Sequence, residues 1–177
     1  MKLLLGEFSE GFKGLETRTQ VAGLRILSYD GPIPPWEGQN LQEKTLYIYA
    51  DQGFGDTIQF SRFLPQVEEK VQKVLLQCHP SLEKLLSKVL SVEVRSTKEP
   101  VPMADFQCAL SSLPYLLQTE LSTIPAAVEF NPPSWDEPPV AVHQYFTEGE
   151  PSFRVGLCWA GNPFHVKNSI RSINPEK

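Results

Sequence analysis

Apolar and polar positions change their period several times along the chain, and each change marks an element. From Leu3 to about Gln20 the stretch LLLGEFSEGFKGLETRTQ sets Leu4, Leu5, Phe8, Phe12 and Leu15 at spacings that form one helical face. Ser9 is the expected N-cap of a helix beginning at Glu10, so the segment reads as the last turn of one helix followed by a short second helix. That apolar stripe is too small to stand alone and predicts packing on the main domain or on further helices. The segment GPIPPWEGQN, residues 31–40, carries three prolines and two glycines, which forbids regular helix and predicts an exposed, ordered connector.

Beyond the connector the period shortens. Thr45-Leu46-Tyr47-Ile48-Tyr49-Ala50 runs without polar interruption after Thr45, the pattern of a strand buried on both faces of a parallel sheet. Helix is then predicted from about Thr57 to Lys70, strand from Lys73 to Cys78, helix from Ser81 to Val89 and a short strand from Ser91 to Arg95. A loop through Pro100 and Pro102, a strand from Phe106 to Leu110 and a brief helix around Pro114 to Gln118 follow. This rhythm implies right-handed crossovers and an α/β, doubly wound parallel sheet. A second proline-rich connector, Asn131 to Pro139, precedes a last buried strand from Phe153 to Trp159. The expected organisation is a helical segment over residues 1–30, a connector over 31–44 and one α/β domain over 45–177.

Composition narrows the function classes. The chain of 177 residues is 41% hydrophobic and 21% charged, an ordinary globular mixture. Its formal charge of −5 is spread without a basic block able to neutralise a run of phosphates, so nucleic acid is not an expected partner. No apolar stretch approaches the ~20 residues needed to span a bilayer. The run Leu3-Leu4-Leu5 is stopped by Gly6-Glu7, too short for a secretory signal, and a cytoplasmic location is expected. Cys78, Cys108 and Cys158 are widely spaced inside apolar runs and read as buried free thiols rather than as a disulfide framework or metal clip.

Two loops at the carboxyl ends of predicted strands hold the candidate chemistry, because ligands of open α/β sheets bind there. The first is Asp51-Gln52-Gly53-Phe54-Gly55-Asp56-Thr57, where glycines allow a ligand close to the backbone at the opening of a helix. It has neither a third glycine nor a Gly-Lys-Ser/Thr ending, which argues against nicotinamide and ATP sites. Asp56 is either an N-terminal helix cap or a general base taking a proton from an acceptor hydroxyl. Gln59 and Arg62 follow at helical spacing and support the site or line a solvated face. The second loop, Trp159 to His165, offers Asn162 and His165, followed by Asn168, Arg171 and Ser172. His165 is a ligand or catalytic candidate, or else a structural loop histidine. His79 and His143 read as structural, and no His or Cys cluster predicts a metal.

The succession PPWEGQNL, TLYIYADQGFGDTIQFSRFLPQV, VLLQCHPSLEKLL, LSSLPYLLQTELSTIP and VGLCWAGNPFHVKNSIRS resembles the bacterial glycosyltransferase-like proteins that follow tetratricopeptide repeats, relatives of the family nine heptosyltransferases. The resemblance covers nearly the whole chain, in order. It implies that Leu3 to Arg18 is the final helix pair of a repeat array. It also implies a GT-B fold, two Rossmann-like halves with acceptor and nucleotide sugar meeting between them, without an obligatory metal or further cofactor. By position, Gly53, Gly55 and Asp56 match the family's Gly-x-Gly-Asp turn, with Asp56 as the base. Gln52 and Gln59 match its polar flanks, and Asn162, His165, Arg171 and Ser172 match the second loop as acceptor-binding positions. Asn168 departs from the family's usual Asp, which removes a charge there. The family continues into a second half that binds the nucleotide sugar, so this sequence reads as the N-terminal, acceptor-side half. Its expected partners are a sugar or protein acceptor, the other half and a repeat array.

The implied function is sugar transfer from a nucleotide sugar to an acceptor, not supported by this half alone. The rival from another class is a non-catalytic binding or protein-interaction module on the same sheet. A small-molecule binder that holds an anion in the first loop is the third reading.

Overall fold

A computed structural model describes residues 2–21, 23, 26–129, 159–161 and 168–173. Contacts divide the chain into one unit over Met1–Pro133 and another over Ser134–Lys177. The helical segment, the connector and the sheet thus share the first unit.

That unit opens with a 3₁₀ turn, Lys2–Leu5, closed by Gly6 at φ 78°. Gly6 N–H donates to the Leu3 carbonyl and Glu7 N–H to the Lys2 carbonyl, a double closure that needs a left-handed residue and therefore favours glycine. Because the turn finishes there, helix α1 starts earlier than its sequence suggests, spanning Phe8–Leu15 with Glu7 at the N-cap and no side-chain cap. Ser9 lies inside the helix and does not cap it. Phe12 is buried, and a 3₁₀ turn over Glu16–Gln20 follows.

The connector is exposed over most of its length, with one correction: Trp36 is 2% exposed and belongs to the core. Its indole Nε1–H donates to the Gln39 carbonyl at 2.8 Å, which lets a large aromatic bury without stranding its polar atom. The backbone on either side pairs with an edge strand. Trp36 N–H donates to the Gln107 carbonyl, and Gln107 N–H to the Pro34 carbonyl.

Strand β1 spans Leu41–Tyr49, with a register irregularity between Leu41 and Thr45. Helices α2 (Phe54–Phe60) and α3 (Leu64–Glu68) replace the single helix predicted over 57–70, with a 3₁₀ turn at Ser61–Phe63 between them. Pro65 explains the break: it has no N–H for the Ser61 carbonyl and its ring crowds that residue, so the backbone tightens. Then come β2 (Val71–Cys78), α4 (Pro80–Val89), β3 (Glu93–Ser96), β4 (Phe106–Ala109) and α5 (Leu113–Leu116). His79 caps α4, its Nδ1 accepting the Ser81 N–H at 3.2 Å, in keeping with its structural reading.

The four strands pair in parallel in the order β3-β2-β1-β4. Alternation along β1 sends Leu46 and Ile48 to one face, where they meet Phe63, Leu64, Val67, Leu76 and Leu86. Tyr47, on the other face, is also buried. Its hydroxyl donates to Gln77 Oε1 at 2.7 Å, while Gln77 Nε2 donates to the Ser96 and Glu99 carbonyls. The chain is therefore α/β, with a Rossmann-like parallel sheet flanked by helices. Among the described residues no helix is long and apolar enough to cross a membrane.

In the second unit the described residues are 159–161, which have no regular secondary structure, one helical turn, α6 (Asn168–Arg171), and the two residues after it. The predicted connector from Asn131 to Pro139, His143, Cys158 and all of the strand from Phe153 to Trp159 except Trp159 itself lie outside the described residues.

Cys78 and Cys108 are buried free thiols. Burial pushes the Cys78 thiol from 9.0 up to about 11 and the Tyr47 phenol from 10.0 up to about 12, and raises Cys108 as well. The folded chain holds these protons where the unfolded chain releases them, so their contribution to stability is complete below pH 9.0 and falls as pH rises toward about 12. Thermal melting followed across that window should decline with increasing pH. A melting temperature that stays level would contradict the burial of these groups.

Candidate functional site at the carboxyl edge of the sheet

Strand β1 is bordered by β2 on one side and β4 on the other, so the order in which successive strands are added reverses at β1 while all strands stay parallel. In open α/β sheets the crevice outside such a switch point is where ligands are held. Asp51 stands at this point, 3% exposed and two residues past the end of β1. Its Oδ2 accepts the Ser111 hydroxyl at 2.6 Å and Arg18 Nε at 2.9 Å, and its Oδ1 accepts the Ser111 N–H at 3.1 Å. Ser111 follows β4, while Arg18 comes from the N-terminal helical segment.

Arg18 is itself 7% exposed, and all three of its guanidinium nitrogens donate. Nη1 donates to the Leu15 carbonyl at 3.2 Å and to Glu16 Oε1 at 2.9 Å, and Nη2 donates to the Ser112 hydroxyl at 2.8 Å. Ser112 in turn donates to Glu16 Oε2 at 2.8 Å. A buried charge is tolerated only when paired and hydrogen-bonded on all sides, and this cluster meets that condition. Among the described residues no buried side-chain nitrogen or oxygen lacks a partner. The sequence pattern places Asp51 in the first loop without a role and singles out none of Arg18, Ser111 and Ser112. Nothing local marks them, because Arg18 and Ser111 lie far from Asp51 along the chain.

The exposed turn begins immediately after Asp51. Gln52 is half-buried, whereas Gly53, Phe54, Gly55 and Gln59 are exposed. Gly53 is the N-cap residue of α2 with extended backbone, φ −72° and ψ 178°. The half-buried Asp56, at the third helical position, turns back so that its Oδ2 accepts the Gly53 N–H at 3.2 Å. This is the backbone-capping half of a capping box. Among the described residues no donor reaches its other oxygen. Asp56 therefore takes the capping position that its place in the sequence allowed, with one carboxylate oxygen left over for another donor.

Neither glycine of the turn is demanded by the fold. A Cβ on Gly55 would meet nothing within 4 Å, and one on Gly53 would make only ordinary contact, 3.4 Å from Asp56 Oδ2. Both have negative φ, open to any residue. Phe54 is 48% exposed, and its ring centroid lies 4.6 Å from that of His79, which follows β2. An exposed aromatic pair thus borders the turn, one that no motif in the sequence marks.

The second loop is described only at its two ends. Ser172 Oγ accepts the Gly161 N–H at 3.1 Å and donates to Asn168 Oδ1 at 2.6 Å, tying the start of the loop to the last helical turn. Arg171 is exposed beside Gly161, where an added Cβ would come within 2.7 Å of its guanidinium. Asn162 and His165 lie outside the described residues. Among the described residues no group of three or more His, Cys, Asp or Glu side chains could hold a metal ion.

The protein class this geometry defines is a parallel α/β unit whose switch-point crevice is filled by its own ion pair, beside an exposed glycine-containing turn. Protein FlbA of Caulobacter vibrioides is 36% identical to the chain over 67 residues, 38% of this chain and 11% of that protein. The chain thus matches about a tenth of the length of that curated relative. No family model and no solved structure matches the chain.

The two aspartates of the first loop should respond differently to substitution. Asp51→Ala takes the buried carboxylate from Arg18 Nε and Ser111, leaving the guanidinium only the partly exposed Glu16 as a carboxylate partner, and should cost about 3–5 kcal/mol in urea unfolding. Asp56→Asn keeps an acceptor for Gly53 and should cost less than about 1 kcal/mol. Equal losses would mean that burial does not distinguish the two carboxylates.

Proposed function

We propose that this unit is the acceptor-side half of a glycosyltransferase of the GT-B type, with Asp56 taking the proton from an acceptor hydroxyl. In this reading a second Rossmann-like half holds the nucleotide sugar. The observation that carries it is the unexplained pair of glycines. Gly55 sits in the first turn of α2 with open space where a side chain would go, and glycine in a helix costs roughly 0.5–1 kcal/mol relative to alanine. A ligand that approaches the backbone closely accounts for that cost, and packing does not. Asp56 has a second carboxylate oxygen that accepts no donor among the described residues, and Gln52 and Gln59, on either side of it in sequence, carry amide groups that can bind sugar hydroxyls. The N-terminal segment is then the end of a helical repeat array.

One observation favours a second reading, a non-catalytic interaction module: the switch-point crevice is occupied by Arg18, Glu16 and Ser112, which leaves a small ligand the outer turn rather than the crevice itself.

Calorimetric titration with acceptor sugars, and separately with nucleotide sugars, tests the proposal. Acceptor binding is expected, and Gly55→Ala should weaken it about tenfold while stabilising the fold by roughly 0.5–1 kcal/mol. In protein carrying both halves, Asp56→Asn should lower kcat by about 10²- to 10⁴-fold with little change in KM. Tight binding of a nucleotide sugar to this unit would overturn the acceptor-side assignment, and silence toward every sugar would favour the interaction module.

A further inference from the structure

The geometry points to Arg18 as a positioning residue for the Gln52–Asp56 turn, so that docking of the N-terminal helical segment sets the geometry of the proposed site. The turn hangs from Asp51, and Asp51 is gripped at both of its polar ends. Its carboxylate is held by Arg18 and by Ser111, and its carbonyl accepts the Leu27 N–H at 3.0 Å. Two of these three partners belong to residues 15–27, the segment that leads out of α1. Residues Gly53 to Gly55 are exposed, and the bonds at Gly53 come from within the turn and α2: its N–H donates to Asp56, and its carbonyl accepts the Thr57 N–H and hydroxyl. Asp51 is therefore an anchor of the turn, and Arg18 is the side chain that the N-terminal helical segment contributes to it, beside Ser111 from the turn after β4.

The fork matters as much as the charge. The Arg18 guanidinium reaches Asp51, Ser112, Glu16 and the Leu15 carbonyl at once, joining the carboxyl ends of β1 and β4 to the end of α1. A lysine keeps the charge but cannot hold those directions together. A helical segment that shifts or is pulled would move Arg18, then Asp51, and with it the main chain leading to Asp56. The assignment rests on Asp56 being the working group of this turn, yet its test reads the turn directly and does not need turnover.

The full chain is compared with Arg18→Lys and with Arg18→Met/Asp51→Asn, the double variant removing both charges so that neither is left buried alone. NMR reads amide exchange at Thr57, whose N–H donates to the Gly53 carbonyl, and at Leu76 in the core, together with the backbone order parameter of Gly53. In the double variant Thr57 exchange should rise about tenfold while Leu76 stays within about twofold, and the Gly53 order parameter should fall below about 0.6. Arg18→Lys should fall between the double variant and the native chain. An unchanged Thr57 and Gly53, with faster exchange confined to α1, would overturn the inference, because the pair would then hold only the helix. A uniform rise that includes Leu76 would overturn it too, marking general destabilisation. In protein that transfers sugar, the double variant should lower kcat more than it raises KM. Protein carrying both halves that transfers nothing, with the exchange pattern as expected, would sink the glycosyltransferase reading and leave the anchor standing.

Discussion

The ion pair between Arg18 and Asp51, closed off from water and completed by Ser111, Ser112 and Glu16, is the constraint on which the rest of the first unit depends. Two charges taken out of water repay their desolvation only when geometry is tight and every remaining proton and lone pair is used. Such a cluster tolerates little displacement of any member. It therefore fixes three pieces of chain relative to one another: the end of α1, the end of β1 and the turn after β4. A hydrophobic contact of similar size would hold the same pieces with less directional demand.

From that fixed point the two chemically distinct carboxylates of one loop can be understood. Asp51 and Asp56 are five residues apart in the same turn, but one is buried and saturated while the other is half-buried and holds a single backbone N–H. The first is structural by its surroundings. The second keeps an oxygen free next to glycines that packing does not require, and that spare capacity is what the acceptor-side reading uses. The buried pair and the exposed turn are thus complementary parts of one edge, a rigid anchor and the segment it presents.

Much of the sheet was legible in the sequence because its strands are bounded apolar runs with connections of helical period. The strand expected over 45–50 became β1 with its core-facing Leu46 and Ile48, and the strands expected near 73–78, 91–95 and 106–110 are β2, β3 and β4. Expectation and structure part where one local signal outweighs another, at Ser9 and Pro65, or where a distant contact decides, at Trp36. Ser9 looked like a cap until Gly6 closed the preceding turn and started α1 early. The helix over 57–70 looked continuous until Pro65 forced a 3₁₀ break. Trp36 looked like part of an exposed connector, but the backbone of that connector pairs with β4 and turns its indole into the core.

By itself, then, the sequence determined the element types, the parallel α/β class and the position of the glycine-rich turn after the first strand, since these follow from periodicity, glycine and proline acting over a few residues. The strand order, the burial of Trp36 and the pairing of Arg18 with Asp51 and of Ser112 with Glu16 were decided only by the tertiary structure. These join residues that are far apart in sequence, and a carboxylate in a loop reads the same in sequence whether its partner is water or a guanidinium. Only the fold brings Arg18 within 2.9 Å of Asp51 and excludes the water that would otherwise weaken the pair.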